Sequence, residues 1–443
     1  MPKGVGTMKF PAGVTQILHT LVQNGYEAYP VGGCVRDLLL GKIPGDWDIT
    51  TSALPDDVLT LFPGSLPTGL QHGTVTVKSH GMSCEVTTFR ADGDYTDHRH
   101  PDAVRFTTSL REDLARRDFT VNAMAMDSRG KLFDFFGGQD DLQRGILRCV
   151  GDPDRRFSED ALRIMRALRF ASALGFSIHP DTAESLRAHR AELSQIAIER
   201  ITVEMTKLLC GKNAAAVLLQ YPDVIGVFLP EILPCVGLDQ HNPHHCYDVW
   251  GHTAHSVAAI APDPVLRWAM LLHDLGKGST FTLDEQGVGH FYGHGKASVI
   301  LADAITTRLR FSKERKARVL ELVDWHDRDI PRTEKSIRRC LYHLGEDGVR
   351  QLISVKRADN AAQHPDYQGR AIEMDKAERI LQDILDADAC FSLRQLAVNG
   401  DDLLSLGLHG KAVGETLHLL LEQVMDGKLP NEKTALLRAV STR

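Results

Sequence analysis

The spacing of apolar residues changes near residue 150, and this change restricts the chain to a small number of folds. Up to about residue 143, short stretches rich in β-branched residues alternate with turn signals, among them AYPVGG, DWDITTS, TVTVKS and CEVTTFR. After residue 155 the spacing is helical almost throughout, with proline-containing breaks such as LPEILP and QHNPHH. The sequence therefore predicts an α+β chain: a small head of mixed or antiparallel sheet with helices, followed by an elongated, all-α remainder.

Composition excludes several classes of protein. With 443 residues we expect more than one domain, and 43% hydrophobic with 25% charged residues is ordinary for a globular protein. No stretch approaches the roughly 18 apolar residues of a membrane helix, and the N-terminus lacks a signal-peptide pattern, so we expect a cytoplasmic protein without a membrane partner. The eight cysteines include no C-x-x-C pair and are interpreted as reduced thiols. The net charge of −7 gives no overall signal for nucleic acid, so such binding would need a local basic patch.

A glycine pair in VGGCVRD predicts a phosphate-binding turn. Gly32 and Gly33 follow a predicted strand and precede a helical run, which lets backbone N–H groups approach a phosphate, and Arg36 adds positive charge. Downstream, LARRDFTVNAMA places Arg117 where it could reach a triphosphate. Each stretch alone is equally compatible with a structural turn or with a helix that has a basic first turn.

Two acids separated by a single residue predict a cation site. Asp46 and Asp48 fall on the same side of a predicted strand because side chains alternate along it. Mg²⁺ relieves the repulsion between such carboxylates, and two ions with a triphosphate would activate a hydroxyl and stabilise pyrophosphate. Glu85, on the neighbouring predicted strand, is the geometric candidate for a third carboxylate. The alternative is a solvated strand end without a metal.

The stretch FSEDALRIMRALRF predicts a helix that presents one ridge of charge. Ser158 is the expected N-cap, and Asp160, Arg163, Arg166 and Arg169 recur at every third position. A carboxylate accepts and a guanidinium donates hydrogen bonds, so an Asp–Arg pair matches cytosine and adenine, whereas uracil and guanine place a carbonyl opposite the carboxylate. The two arginines further along would be free for phosphates. The alternative is a capped surface helix with an acid–arginine pair.

Four linked motifs resemble those of bacterial class II tRNA nucleotidyltransferases, the CCA-adding enzymes. They are GGCVRD, DWD, RRDFTVNA and EDALR, in that order and spacing. The loop DGDYTDHRHPDAVRF, the stretch DFFGGQDDLQRGILR and the tail NGDDLLSLGLHGKAVGETLHLLLEQV are similar as well. The resemblance implies addition of C, C and A to tRNA 3′ ends from CTP and ATP, with release of pyrophosphate. It also implies a polymerase-beta-like head (1–143), a neck that recognises the base (144–215), a body (216–400) and a tail that contacts tRNA (401–443).

Motif matching assigns roles to individual residues. Asp46 and Asp48 would bind Mg²⁺, and the nucleotide would be bound by Gly33, Arg36, Arg117, Asp160, Arg163, Arg166 and Arg169. A-adding enzymes and poly(A) polymerases share this head and stay open as alternatives, whereas the intact loop at 91–103 argues against an enzyme that adds only CC. The expected partners are tRNA, CTP and ATP, for a monomer or homodimer.

A second constellation lies in the predicted body, at about 247–365. LLHDLGKGS resembles the HD phosphohydrolases, and imidazoles and carboxylates on successive helices can converge on a divalent metal such as Mn, Ni, Co, Fe or Zn. We predict a site for two ions that cleaves phosphoesters at damaged tRNA ends such as 2′,3′-cyclic phosphates, or an HD shell with a structural role only. The predicted ligands are His252, His273, Asp274, His294, His326 and Asp359.

Three classes of function therefore compete: a templateless nucleotidyltransferase with an attached hydrolase, an HD phosphohydrolase whose head only binds nucleotide, and a noncatalytic RNA-binding protein. Asp46 and Asp48 favour the first over the second, because a head that only binds nucleotide has no need of two acids on one strand. The third class requires both carboxylate clusters to be accidental. We predict the first.

Overall fold

The structure, a computed structural model, describes residues 10–92, 104–329 and 333–441, and its contacts divide the chain into two units. Unit 1 contains the chain up to Asn213 together with Asp223–Phe228; unit 2 contains Ala214–Pro222 and the chain from Leu229 onward. Residues 93–103 of the loop predicted at 91–103 lie outside the described residues. The division into head, neck, body and tail stays a prediction.

Unit 1 contains a five-stranded mixed sheet, as predicted. The strands are β1 (Ala28–Pro30), β2 (Asp48–Thr51), β3 (Leu66–Gly69), β4 (Thr74–Ser79) and β5 (Met82–Thr88). Their order in the sheet is β1-β2-β5-β4-β3; β2 and β5 run parallel and the other neighbours antiparallel. The hairpin of β4 and β5 turns at His80-Gly81, where both residues have positive φ (49° and 75°), as in the common two-residue turns.

Helices and short two-stranded pairs complete unit 1. The smaller strands are β6 (Arg90–Asp92), β7 (Val104–Phe106), β8 (Met124–Met126), β9 (Leu132–Asp134), β10 (Ile146–Leu147) and β11 (Ser177–Ile178). The helices are α1 (Ala12–Gln23), α2 (Gly33–Leu39), α3 (Pro55–Leu61), α4 (Leu110–Ala115), α5 (Gly138–Arg144), α6 (Pro153–Glu159), α7 (Leu162–Leu174), α8 (Pro180–Ala188) and α9 (Ile198–Leu209).

The predicted continuous ridge is wrong, because two helices meet at Asp160. The first, α6, begins after Asp152, whose side chain accepts the N–H of Asp154, and Pro153 follows as first helical residue. Ser158 therefore lies inside α6 and is not an N-cap. Asp160 is extended (φ −146°, ψ 99°), and its carboxylate accepts the N–H of Leu162 at 3.1 Å. Such local bonding competes with the helical backbone and divides the predicted helix.

Unit 2 is almost wholly helical, which confirms the prediction for the second part of the chain. Trp250 and Trp268 are fully buried in it, and the Trp268 ring packs edge-on against Phe311 at 5.1 Å. The elements from Ala214 onward are α10 (Ala214–Gln220), α11 (Pro222–Ile225, mainly in unit 1), α12 (Val249–Ala259), α13 (Pro264–Leu272), α14 (Lys277–Thr280), β12 (Thr282–Leu283), β13 (Gly289–His290), α15 (His294–Arg308), α16 (Lys313–Trp325), α17 (Glu334–Ala361), α18 (Ala371–Asp386), α19 (Gly400–Ser405), α20 (Lys411–Met425) and α21 (Lys433–Ser441).

All eight cysteines are free thiols, as predicted, and Cys246 alone among them is exposed. Burial raises the pKa of Cys149 and Cys235 to about 12 in each case. Across the described residues, no helix is long and apolar enough to cross a membrane.

Candidate functional sites

One cleft of about 620 Å³ in unit 1 brings the predicted nucleotide-binding residues together. Asp46 and Asp48 line it as well. Seven arginines and five aspartates line the cleft, so its lining carries net positive charge although the whole chain is negative. This is the local basic patch that binding a polyanion requires. The predicted residues that line the cleft are Gly33, Arg36, Arg117, Asp160, Arg163, Arg166 and Arg169.

The glycine turn at the cleft has a defined geometry. Gly32 has φ 76° and ψ −126°, a conformation that residues with a Cβ rarely adopt, and a Cβ there would lie 3.0 Å from the Arg117 guanidinium. Arg36 donates to the side-chain oxygen of Asn122 at 2.6 Å and to Asp37 at 2.9 Å. The turn therefore brings the chain at Gly32 against Arg117 and orients Arg36.

The predicted carboxylates lie on adjacent strands. Asp48 is paired in register with Glu85 across the parallel β2–β5 contact, whereas Asp46 lies just before β2 rather than within it. Trp47, between the two aspartates, is buried, so side chains alternate as predicted. The pKa of Asp48 is raised, mainly by burial and also by the charge of Asp46, although the charge of Arg117 acts in the opposite direction. The pKa of Glu85 is raised by burial and by the charges of Asp48 and Asp46. Carboxylates whose pKa values are raised by acidic neighbours fit a bound divalent cation.

Asp113 is a buried carboxylate of this site that the sequence analysis missed. It accepts hydrogen bonds from Arg116 at 2.8 Å and from Arg117 at 3.4 Å. Thr50 of β2 donates to it at 3.0 Å. Burial alone would raise the pKa of Asp113, but Arg116 and Arg117 outweigh burial and lower it. Its place one turn before two arginines was the available signal.

The predicted base-reading pair lies at the break between α6 and α7. The Asp160 carboxylate approaches Arg200 at 3.4 Å. Arg163 donates to Glu159 at 2.7 Å and to the carbonyl of Arg116 at 3.1 Å, contacts that fix its guanidinium. Glu159 and Arg200 therefore belong to the structure of this region, although sequence spacing did not single them out.

The prediction that Arg166 and Arg169 are free for phosphates is wrong. Arg166 donates twice to Asp118, at 2.5 and 2.9 Å, and Arg169 forms an ion pair with Glu204 at 2.6 Å. Burial would raise the pKa of Asp118, but the Arg166 charge and hydrogen bonds lower it to about 2. Both arginines line the cleft with their charge already paired, because a carboxylate from another element faces each of them.

The six predicted HD ligands converge in unit 2. Ligand atoms of His252, His273, Asp274 and Asp359 all lie within 4.8 Å of one another, and so do those of Asp274, His294 and His326. Asp274 belongs to both groups, which is the arrangement expected of a carboxylate that bridges two ions. That these residues bind a metal stays a prediction.

The four histidines are all oriented in the same way. In each, Nδ1 faces a backbone carbonyl at 2.6–3.3 Å: that of Ala362 for His252, Met270 for His273, Phe291 for His294 and Val323 for His326. A carbonyl only accepts, so Nδ1 donates to it, and Nε2 is the nitrogen left on the side of the carboxylates, where a bound metal would replace its proton. The Nε2 atoms of His273 and His326 are buried without a hydrogen-bond partner. Orphaned nitrogens beside two carboxylates fit a metal site.

The charges of this cluster are strongly coupled. Burial would lower the pKa of His273, but Asp274 and Asp359 raise it to about 10. Burial would raise the pKa of Asp274, but His273 and Lys277 hold it well below its usual range. His245 lines a cavity next to this cluster, and burial together with the charge of Lys277 lowers its pKa to about 3.

Comparisons with known proteins identify the chain's family. Residues 28–148 match the poly A polymerase head domain, residues 175–233 the "Probable RNA and SrmB- binding site of polymerase A", and residues 297–440 domain 2 of tRNA nucleotidyltransferases. The sheet with its acidic strand and arginine-lined cleft, together with these matches, defines a nucleotidyltransferase.

Comparison with individual relatives supports the same family assignment. The CCA-adding enzyme of Geobacillus stearothermophilus is 37% identical over 94% of this chain and 93% of its own. That of Oceanobacillus iheyensis is 54% identical over 49% of this chain, a match that spans about half of the relative's length (54%). The structure of the Bacillus stearothermophilus CCA-adding enzyme in complex with CTP superimposes with a TM-score of 0.74 at 32% identity, covering 97% of this chain and 96% of that one. This chain belongs to the CCA-adding enzymes.

Proposed function

We propose that the chain adds C, C and A to the 3′ end of tRNA from CTP and ATP and releases pyrophosphate. The main evidence for the proposal is that Asp46 and Asp48 line the same cleft as seven arginines. The RNA 3′ oxygen attacks the α-phosphorus, the bond from that phosphorus to the bridging oxygen breaks, and pyrophosphate leaves. Asp46, Asp48 and Glu85 would hold Mg²⁺, which, when bound, lowers the pKa of the attacking hydroxyl and neutralises the leaving group.

The protein groups supply position and selection. Arg36 and Arg117 hold the triphosphate, and Asp113 keeps Arg117 in place. Asp160 accepts the amino group of cytosine or adenine while Arg163, fixed by Glu159, donates to the ring acceptor. The choice of base then needs no template strand.

The test is incubation of tRNA lacking its terminal CCA with CTP, ATP or both, in Mg²⁺, reading product length. We expect extension by CC with CTP alone and by CCA with both. Asp48→Asn should abolish extension and leave tRNA binding intact, whereas Asp56→Asn, an exposed acid on α3, should change neither. Extension by the Asp48 variant would contradict the metal role, and efficient addition of A alone to this substrate would favour a poly(A) polymerase.

A separate experiment tests the choice of base. Asp160→Ala should admit UTP and GTP, because the carboxylate that disfavours their carbonyls is gone. Unchanged preference for CTP and ATP in this variant would contradict Asp160 as the reader.

The cluster in unit 2 supports a second activity, metal-dependent hydrolysis of phosphoesters at damaged tRNA 3′ ends. The main evidence is that its histidines all turn Nδ1 towards a backbone carbonyl and Nε2 towards the ligand groups that share Asp274. Water adds to phosphorus, a P–O bond to the ribose breaks, and that oxygen leaves with a proton, so that a cyclic phosphate becomes a monoester. A divalent metal, when bound, supplies hydroxide near neutral pH.

The hydrolase is tested by measuring bound Mn, Ni, Co, Fe and Zn together with hydrolysis of 2′,3′-cyclic phosphates. Asp274→Ala should lose both, and Asp303→Ala, which removes an exposed acid of α15, should keep both. Absence of metal in the wild type and equal rates in the two variants would leave the cluster a structural role. Hydrolysis without any nucleotide addition would instead favour an HD phosphohydrolase whose head only binds nucleotide.

A further inference from the structure

The six predicted metal ligands of unit 2, which we call the metal cluster, open into a cavity of about 480 Å³. An aromatic side chain is among the residues that line this cavity. Tyr292 is 77% exposed and lies between β13 and α15, two residues before the ligand His294. Burying an aromatic side chain is ordinarily favourable, so a tyrosine left open next to a cluster of ligands offers surface to another molecule.

The Tyr292 ring is supported on one face by a second ring. It stacks on the ring of His290 with centroids 5.2 Å apart and planes 9° apart. The Nε2 atom of His290 in turn lies 2.8 Å from a carboxylate oxygen of Asp284, and the side chain of Asp284 also accepts the N–H of Val288 in the same hairpin. We call Tyr292 and His290 the aromatic platform. Because the hairpin fixes the inner ring, the outer ring presents a flat, oriented face.

The cavity also contains groups that can contact a phosphate. Its lining includes the basic side chains Lys277, Arg328, Lys356 and Arg370 together with the acids Asp274, Asp327, Asp329, Asp359 and Glu373. Lys277 places its Nζ 2.8 Å from the carboxylate of Asp274, which both ligand groups share, so a phosphoester at the cluster would lie beside an ammonium group. A flat face and a phosphate-binding cluster in one cavity match a ligand that has both a planar base and a phosphate.

We propose that the aromatic platform stacks on the base of the ribonucleotide whose phosphoester lies at the metal cluster. The proposal rests on the hydrolase function above and specifies its substrate as a ribonucleotide 2′,3′-cyclic phosphate of any base, because stacking uses a face that every base has. Phosphoesters without a base would enter the same cluster but bind weakly.

The experiment compares wild type, Tyr292→Ala and Tyr292→Phe, loaded with Mn²⁺. The substrates are the four nucleoside 2′,3′-cyclic monophosphates and glycerol 1,2-cyclic phosphate, which has no base. Tyr292→Ala should raise KM for all four nucleotides about tenfold at unchanged kcat, while Tyr292→Phe, which keeps the ring, should resemble wild type. Kinetics on the glycerol ester should be the same in all three proteins.

A binding measurement keeps the test independent of turnover. Titration calorimetry with adenosine 2′-monophosphate should show Kd about tenfold weaker for Tyr292→Ala, with unchanged metal content. Equal Kd values for wild type and Tyr292→Ala would overturn the platform. Equal losses on the glycerol ester and the nucleotides would do the same.

The outcomes separate the two proposals. If wild type hydrolyses no cyclic phosphate, the hydrolase is refuted, and the calorimetric difference alone then decides the platform. An oligonucleotide with a terminal cyclic phosphate separates the two sources of the ligand: a higher kcat/KM than for the mononucleotide identifies RNA ends, and equal values identify free nucleotides. The platform is supported in both cases when the difference between variants is present.

Discussion

The carboxylate of Asp113 is fully buried. Arg116 and Arg117 balance its negative charge, and the hydroxyl of Thr50 donates a hydrogen bond to it. Removing the charge from such a group leaves its partners without a counterion in surroundings where water cannot replace it. The residue therefore couples the stability of unit 1 to the position of Arg117.

We expect Asp113→Asn to lower the free energy of unfolding by about 3 kcal/mol and to raise KM for CTP more than it changes kcat. Urea unfolding and steady-state kinetics check the two effects. Glu112→Gln, an exposed neighbour on α4, is the control and should alter neither. A destabilised variant with wild-type KM would show that Asp113 does not position Arg117.

The Asp118–Arg166 pair predicts a dependence on pH. Because the folded pKa of Asp118 is lowered to about 2 from an unfolded value of about 3.9, the charged form is favoured in the folded state. Its contribution, about 2 kcal/mol, is present above pH 4 and is lost as pH falls towards 2. Urea unfolding of Asp118→Asn should therefore differ from wild type at pH 6 and converge with it in acid; a difference independent of pH would contradict this.

Residues with a local signal were predictable, and those defined by distant partners were not. Asp46 and Asp48 follow from strand alternation, and the HD ligands from the resemblance of their motif to that of the HD phosphohydrolases. The partner of Arg166 lies 48 residues away, on another element, so spacing along one helix could not show that its charge is already paired.

At the scale of elements, the joint between α6 and α7 shows how a local competition changes a correct helical prediction. The apolar spacing is helical on both sides, and helices do form there. Asp160 nevertheless bonds the backbone of Leu162 and leaves the helical conformation. Periodicity reports which face is buried, whereas this hydrogen bond decides whether the axis continues.

A close approach between elements supports the metal cluster. A Cβ on Gly276 would lie 2.3 Å from the carbonyl oxygen of His294 and 2.6 Å from the nitrogen of Ser298, both in the first turns of α15. Gly276→Ala should therefore displace the helix that carries His294, reducing bound metal and lowering the free energy of unfolding by about 1–3 kcal/mol.

Gly414 is the matched control. It lies in α20 with no atom within 4 Å of an added Cβ, so Gly414→Ala should stabilise the protein by about 1 kcal/mol and leave metal content unchanged. Metal analysis and urea unfolding of both variants check the pair. Full metal occupancy in Gly276→Ala would show that α15 tolerates the shift.

At the scale of the whole molecule, the sequence predicted where helices replace strands but not how the helices group. Ala214–Pro222 belongs to unit 2 although Asp223–Phe228, immediately after it, belongs to unit 1. The apolar faces of helices on both sides have the same periodicity, and periodicity does not specify which neighbour covers a face. The grouping depends on tertiary packing.

The division into units predicts a localised response to metal. Mn²⁺ that binds the folded cluster at about 100 times its Kd should stabilise the folded site by about 2.7 kcal/mol. Hydrogen exchange should slow in α12, α13 and α17, which lie in unit 2, and stay unchanged in α7 and α9 of unit 1. Asp274→Ala should abolish the slowing. Equal protection of both units would contradict a site confined to unit 2.

The exposure of Cys246 has a practical consequence. The thiols of Cys34, Cys149, Cys235 and Cys340 combine burial with pKa values of about 11 to 12, so few of them are thiolates at neutral pH. A maleimide dye should therefore react first at Cys246. Its chain neighbour His245 lines the metal cavity, so the native sequence already contains an attachment point for a fluorescent reporter of occupancy there.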